Sequence, residues 1–161
     1  MAVDVRLALV SANAHPAELF VADVPRKGHS ELLDAIAALL DADASFIPVR
    51  SDGNVQLLGK HAIAWIAVGR TAVGDAAGDD DSDDDFAEIP SEVITLYERQ
   101  HRVAVKLVAG GQIEGSLFDS SPSDRPRVAD HLNGAGRFVR LWTANEHYLV
   151  NKTQIVQVTE L

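Results

Sequence analysis

Apolar and polar residues alternate at the start of the chain. Val3, Val5, Leu7 and Leu9 are separated by Asp4, Arg6 and Ala8, the period-two pattern of a half-buried strand. A second strand is predicted over 17–24, closed by Pro25. From Ser30, an expected N-cap with Glu31 in the first turn, the period changes. Leu32, Leu33, Ile36, Leu39 and Leu40 recur at helical spacing and predict an amphipathic helix. Residues 46–50 and 55–58 read as strands around the turn Ser51-Asp52-Gly53-Asn54. The unbroken apolar run 62–68 predicts a strand covered on both faces.

The pattern then recurs. Residues 93–97, 102–108 and 112–118 are strand-like, with Gly110-Gly111 as a turn. Ser123 or Asp124 offers an N-cap, Pro126 suits a first turn, and Val128, Ala129 and Leu132 form a short helix stopped by Asn133-Gly134. Strands over 137–142, 147–150 and 153–158 complete the second part. A gapless shift of 92 positions places Phe46 on Phe138, Val49 on Leu141, Leu57 on Leu149, Lys60 on Lys152, Ile63 on Ile155 and Ile66 on Val158. The expected fold class is mainly β with one helix per repeat (α+β): two tandem small SH3-like or Sm-like antiparallel barrels packed as a pseudo-dimer. The predicted domains are 1–70 and 91–161, because a unit of ~70 residues has only a marginal core alone and two would support each other.

Charge changes the picture only between these units. The formal net charge is −10, but residues 71–90 hold eight acids and no base, so the rest of the chain is close to neutral. That stretch is predicted to be an acidic, disordered linker, too poor in apolar groups to offset its ordering entropy. It lacks the glycine and terminal glutamate of a calcium loop. The absence of cysteine excludes disulfides, thiol catalysis and Cys-based zinc sites, and fits a cytoplasmic protein. The N-terminal pattern is not that of a signal peptide, and no apolar run approaches the ~20 residues a membrane helix needs.

Two resemblances rest on the second part. Gly110, Gly115 and Leu117 stand at the spacing of the first Sm signature, and the segment VNKTQI, 150–155, resembles the closing one. Asn151 and Lys152 stand where that family has arginine and glycine, and a helix interrupts the strands, so its RNA-binding residues are not carried over. Arg127, Asp130, Leu132 and Asn133, then Phe138 and Leu141, then Val150, Asn151, Lys152 and Ile155 resemble the R-x-x-D-x-L-N, F-x-x-L and V-N-K-x-x-I pattern of an uncharacterised bacterial domain, best over 102–158. That family implies no activity.

Comparison of the two parts locates the candidate chemistry. Polar groups concentrate in the second: Arg125, Arg127, His131, Arg137, Arg140 and Lys152 offer a basic surface for an anion, and Trp142 and Tyr148 flank a turn where a ring ligand can stack. The competing reading is structural, with Arg127 paired to Asp130 and Asn133 ending a helix. The tentative binding set is Arg127, His131, Arg140, Trp142, Tyr148, Asn151 and Lys152. No H-x-x-x-H pair, G-x-S-x-G elbow or phosphate-binding glycine pattern occurs, so no catalytic residue, metal or cofactor is expected. The sequence predicts a non-enzymatic interaction or small-ligand-binding module. Its expected partner is a protein or a small anion, ahead of nucleic acid, with no membrane and with homo-oligomers open. An Sm-like nucleic-acid binder is the alternative, and an enzyme ranks third.

Overall fold

A computed structural model of the protein describes residues 1–22, 29–69, 99–119, 128–134 and 136–161. The expected linker 71–90, the strand at 93–97 and the helix cap at 121–126 lie outside the described residues. The elements, in order, are β1 (Ala2–Leu9), β2 (Ala12–Phe20), α1 (His29–Asp41), β3 (Phe46–Ser51), β4 (Asn54–Gly59), a 3-10 turn (Lys60–Ala62), β5 (Ile63–Gly69), β6 (Arg99–Leu107), β7 (Gln112–Asp119), α2 (Val128–Leu132), β8 (Phe138–Trp142), β9 (Glu146–Asn151), a second 3-10 turn (Lys152–Gln154) and β10 (Ile155–Glu160). No described helix is long and apolar enough to cross a membrane.

The strands form one open, mostly β, antiparallel sheet in the order β10-β6-β7-β8-β9-β5-β1-β2-β3-β4. Within 2–69 the order is β5-β1-β2-β3-β4, and within 99–160 it is β10-β6-β7-β8-β9, the same sequence of strands. The halves meet at a seam where β5 pairs with β9: Trp65 opposite Val150, Ile66 opposite Leu149, Ala67 opposite Tyr148 and Val68 opposite His147. This explains the unbroken apolar run. Ile63, Ala64, Ile66, Ala67 and Val68 are all buried, because β5 has a strand on each side and a core on each face.

Two places allow the sheet to bend. β7 and β8 share one paired position, Ser116 with Trp142, and β2 and β3 share two. At the first, a Cβ on Gly115 would lie 2.6 Å from the Trp142 carbonyl oxygen and 2.8 Å from Leu141 Cγ, so only glycine lets β7 approach β8. The β3–β4 hairpin turns through Asp52 (φ 51°) and Gly53 (φ 77°), the two left-handed positions of a type I′ turn.

The apolar stripe of α1 (Leu32, Leu33, Ile36, Leu40) packs on Val3, Val5, Leu7, Leu19, Ile47 and Ile66. Trp142 and Leu149, from the other half of the chain, complete this core. A second core holds Val103, Val105, Leu117, Val139, Leu141 and Val150, with Trp65 of the first half packed against it. Each core thus takes at least one side chain from across the seam.

β2 departs from the expected 17–24: it begins at Ala12 and contains Pro16. Its pairing with β3 covers only Glu18 and Leu19, so at Pro16 it has β1 alone as neighbour, and the missing N–H interrupts no second ladder. α1 starts at His29, which puts Ser30 inside the helix rather than at its cap.

Candidate functional site at the seam

The two lysines related by the 92-residue shift do the same job. Lys60 Nζ donates to Ala42 O at 2.7 Å, and Lys152 Nζ donates to Gly134 O at 3.0 Å. Ala42 follows the last residue of α1, and Gly134 lies two residues beyond α2. Each ammonium therefore sits at a helix C-terminus, where carbonyls lack helical partners and the dipole favours positive charge. The backbone repeats the pattern: Lys60 N donates to Ser45 O at 2.9 Å and Lys152 N to Arg137 O at 3.0 Å. Burial and the nearby Arg137 guanidinium push the Lys60 pKa down, against Asp41 and Asp43, which raise it.

Asn151 is buried and bridges the halves. Its Nδ2 donates to Ile63 O at 2.9 Å, while Oδ1 accepts from Thr153 N at 3.1 Å and Thr153 Oγ1 at 2.8 Å. One amide thus caps the second 3-10 turn and holds the start of β5. Arg140 Nη2 donates to Asp34 Oδ1, and the Arg137 backbone N–H donates to Asp41 Oδ1 at 2.9 Å, so two acids of α1 engage β8 and the residue just before it in the other half.

The aromatic residues fall into two settings. Trp142 is buried in the first core with its ring 4.0 Å from that of His147 at 75°. Tyr148 is half-buried in a cluster on the seam: its ring lies 5.1 Å from Trp65 in an edge-on geometry, and its hydroxyl donates to Glu146 Oε2 at 2.8 Å. Arg6 of β1 closes the cluster. It binds Glu146 through both Nε and Nη2, donates to the Tyr148 oxygen at 3.1 Å and lies 5.3 Å over the Trp65 ring. A bidentate guanidinium–carboxylate pair stacked on an indole is a rigid arrangement.

These contacts shift the titrations. Burial pushes the Glu146 carboxyl up, but the Arg6 and Tyr148 hydrogen bonds outweigh it and hold the pKa below its usual value. Burial and the Glu146 hydrogen bond push the Tyr148 phenol up to about 12. Tyr148 binds its proton more tightly when folded, so its contribution to stability is intact below pH 10 and is lost as pH rises toward about 12. In a Tyr97→Phe background Tyr148 is the only tyrosine. An absorbance titration of tyrosinate is expected to show a midpoint near 12 there and a lower one when Glu146→Gln is added. A midpoint at 10 in the parent contradicts this geometry.

The structure thus brings Arg140, Tyr148, Asn151 and Lys152 to the seam and its flanking helix ends, and places Trp142 in the core. Arg127 lies outside the described residues, and His131 is placed on α2 with its side chain not described. Sequence reasoning missed Arg6, Glu146, Trp65, Asp34 and Asp41 as seam residues. Arg6 and Glu146 are 140 positions apart, and nothing local on β1 marks the partner. An open groove of about 740 Å³ runs between α2 and β10, lined by Val128, Leu132, Ile155 and Val158 among others. Among the described residues, no group of three or more His, Cys, Asp or Glu is placed to hold a metal ion. No protein-family model, curated protein or solved structure matches the chain.

Proposed function

We propose that this chain is a non-enzymatic interaction module made of two related small open barrels of the SH3-like and Sm-like kind, packed as an intramolecular pseudo-dimer. Support for the repeat comes from the common strand order, the paired 3-10 turns and the two helix-capping lysines separated by 92 positions. A cysteine-free composition supports a cytoplasmic setting.

The observation that carries the functional reading is a contrast in how side chains are used. Arg140, Asn151 and Lys152, three of the polar groups offered for a ligand, bind backbone carbonyls or a carboxylate of the fold. Large apolar side chains stand in solvent instead on or beside the terminal strand β4: Val55 and Leu57, with Phe46 on neighbouring β3. Exposed apolar surface on a strand edge is the signature of pairing with another strand.

Thermal shift with inorganic phosphate, a nucleotide series and homopolymer RNA at low salt tests this reading. No ligand is expected to raise Tm, because Arg140 and Lys152 are engaged by the fold. Arg140→Ala is expected to lower Tm by no more than about 4 °C, since a partly exposed ion pair contributes about 0–1 kcal/mol. A saturable rise in Tm with any of these anions, abolished in Arg140→Ala, overturns the reading.

A further inference from the structure

The seam is a heterologous contact: β5, the last strand of the first half, pairs with β9, which occupies the place of β4 in the second. Using one such contact inside the chain leaves its two complementary surfaces unused at the ends. Among the described residues, β4 has β3 as its only ladder neighbour, and β10 has only β6. We propose that copies of this chain join head to tail, β10 of one adding to β4 of the next in the register of the internal β5–β9 seam. The proposal rests on the two-repeat reading above and names the partner as a second copy.

Burial at equivalent positions supports it. Leu149 is 1% exposed beneath the seam, whereas Leu57, at the same place in the first half, is 74% exposed. His147 is buried and Val55 is 60% exposed. Phe138 packs against the first core, while Phe46 is 56% exposed. On the other side, five of the seven β5 residues are buried, whereas none of the six in β10 is. The β4 end exposes apolar residues at seam positions, and β10 keeps Ile155, Val156 and Val158 there beside the polar Gln157, Thr159 and Glu160.

The hydrogen-bonding groups agree independently. In a two-residue hairpin the pair flanking the turn is hydrogen-bonded, here Ser51 with Asn54, and pairs then alternate. The N–H and C=O groups of Val55 and Leu57 therefore point away from β3. On β10, Leu161 N donates to Arg102 O at 2.9 Å, so the same alternation aims Thr159 and Gln157 at β6 and leaves Val158 and Glu160 pointing outward. Moving the seam register by 92 positions puts Val158 opposite Leu57 and Glu160 opposite Val55. Outward groups meet outward groups, which a register slipped by one residue would not give.

The contact between copies lacks two supports of the seam. The positions of Glu146 and Asn151 are taken by Asn54 and Gly59, so neither the Arg6 clamp nor the Ile63 bond is reproduced. Association is therefore reversible and concentration-dependent. Because the contact is head to tail, it builds a ring if the rotation closes and a filament if it does not.

Light scattering coupled to size exclusion, over a concentration series of the full chain, tests this. The parent is expected to rise from 17.3 kDa toward multiples of that mass. Leu57→Pro removes an outward donor from β4 and Glu160→Pro one from β10, each at an exposed site that leaves the inner ladder intact. Each variant alone should stay at 17.3 kDa, and an equimolar mixture should form a one-to-one pair and nothing larger. Circular dichroism checks the fold, and Leu57→Lys with Glu160→Lys replaces the proline pair if either variant unfolds. A parent that remains monomeric at millimolar concentration overturns the proposal and leaves the module reading standing. Self-association of either single variant, or a mixture that does not pair, also overturns it.

Discussion

Truncation of Leu149 to alanine is expected to destabilise the protein by about 2–5 kcal/mol, the range for a buried leucine whose site cannot collapse. Leu149 is 1% exposed, sits opposite Ile66 in the seam and belongs to the core under α1. Leu57→Ala, at the corresponding position of the first half, should cost no more than about 0.5 kcal/mol, because the side chain is 74% exposed. Urea unfolding of both variants, at a concentration low enough to keep the chain monomeric, measures the difference. Equal losses would mean that the seam does not bury one leucine and leave the other out.

Replacing Asn151 by leucine should cost about 3 kcal/mol, since a buried polar group left without its partner costs about 1–3 kcal/mol and this change strands more than one. Leucine is close in size but can neither donate to Ile63 O nor accept from Thr153 N and Oγ1. Asn151→Asp separates the two jobs: the carboxylate can still accept from Thr153 but cannot donate to Ile63. It should therefore keep slow hydrogen exchange at the Thr153 amide while losing seam stability. An unchanged unfolding midpoint in Asn151→Leu would show that the bond between halves carries no weight.

The mostly β architecture was legible because most strands carry their own pattern. Val3, Val5 and Leu7 alternate, Asp52-Gly53 marks a hairpin, and the helical stripe from Leu32 to Leu40 changes period where α1 begins. The pattern starts β2 late because His15 and Pro16 break the alternation, and their tolerance depends on how far β3 extends beside them. The seam had no local signal. Its pairs, such as Trp65 with Val150, join residues far apart in the chain, and an apolar run cannot specify its neighbour. The candidate residues show the same division. Lys60 and Lys152 stand out as a matched pair, but a lysine capping a helix and a lysine binding an anion look identical without the carbonyl in view. Asn151 adds a second case, because the Ile63 carbonyl that it binds is 88 positions away.

The strand order also sets what the connection between the halves must do. Successive neighbours from β5 through β9, β8 and β7 to β6 are antiparallel, so β5 and β6 run in the same direction. The chain leaves β5 at one end of the sheet and must enter β6 at the other, a journey that no tight turn can make and that takes a dozen or more residues. The 29 residues between Gly69 and Arg99 meet that requirement.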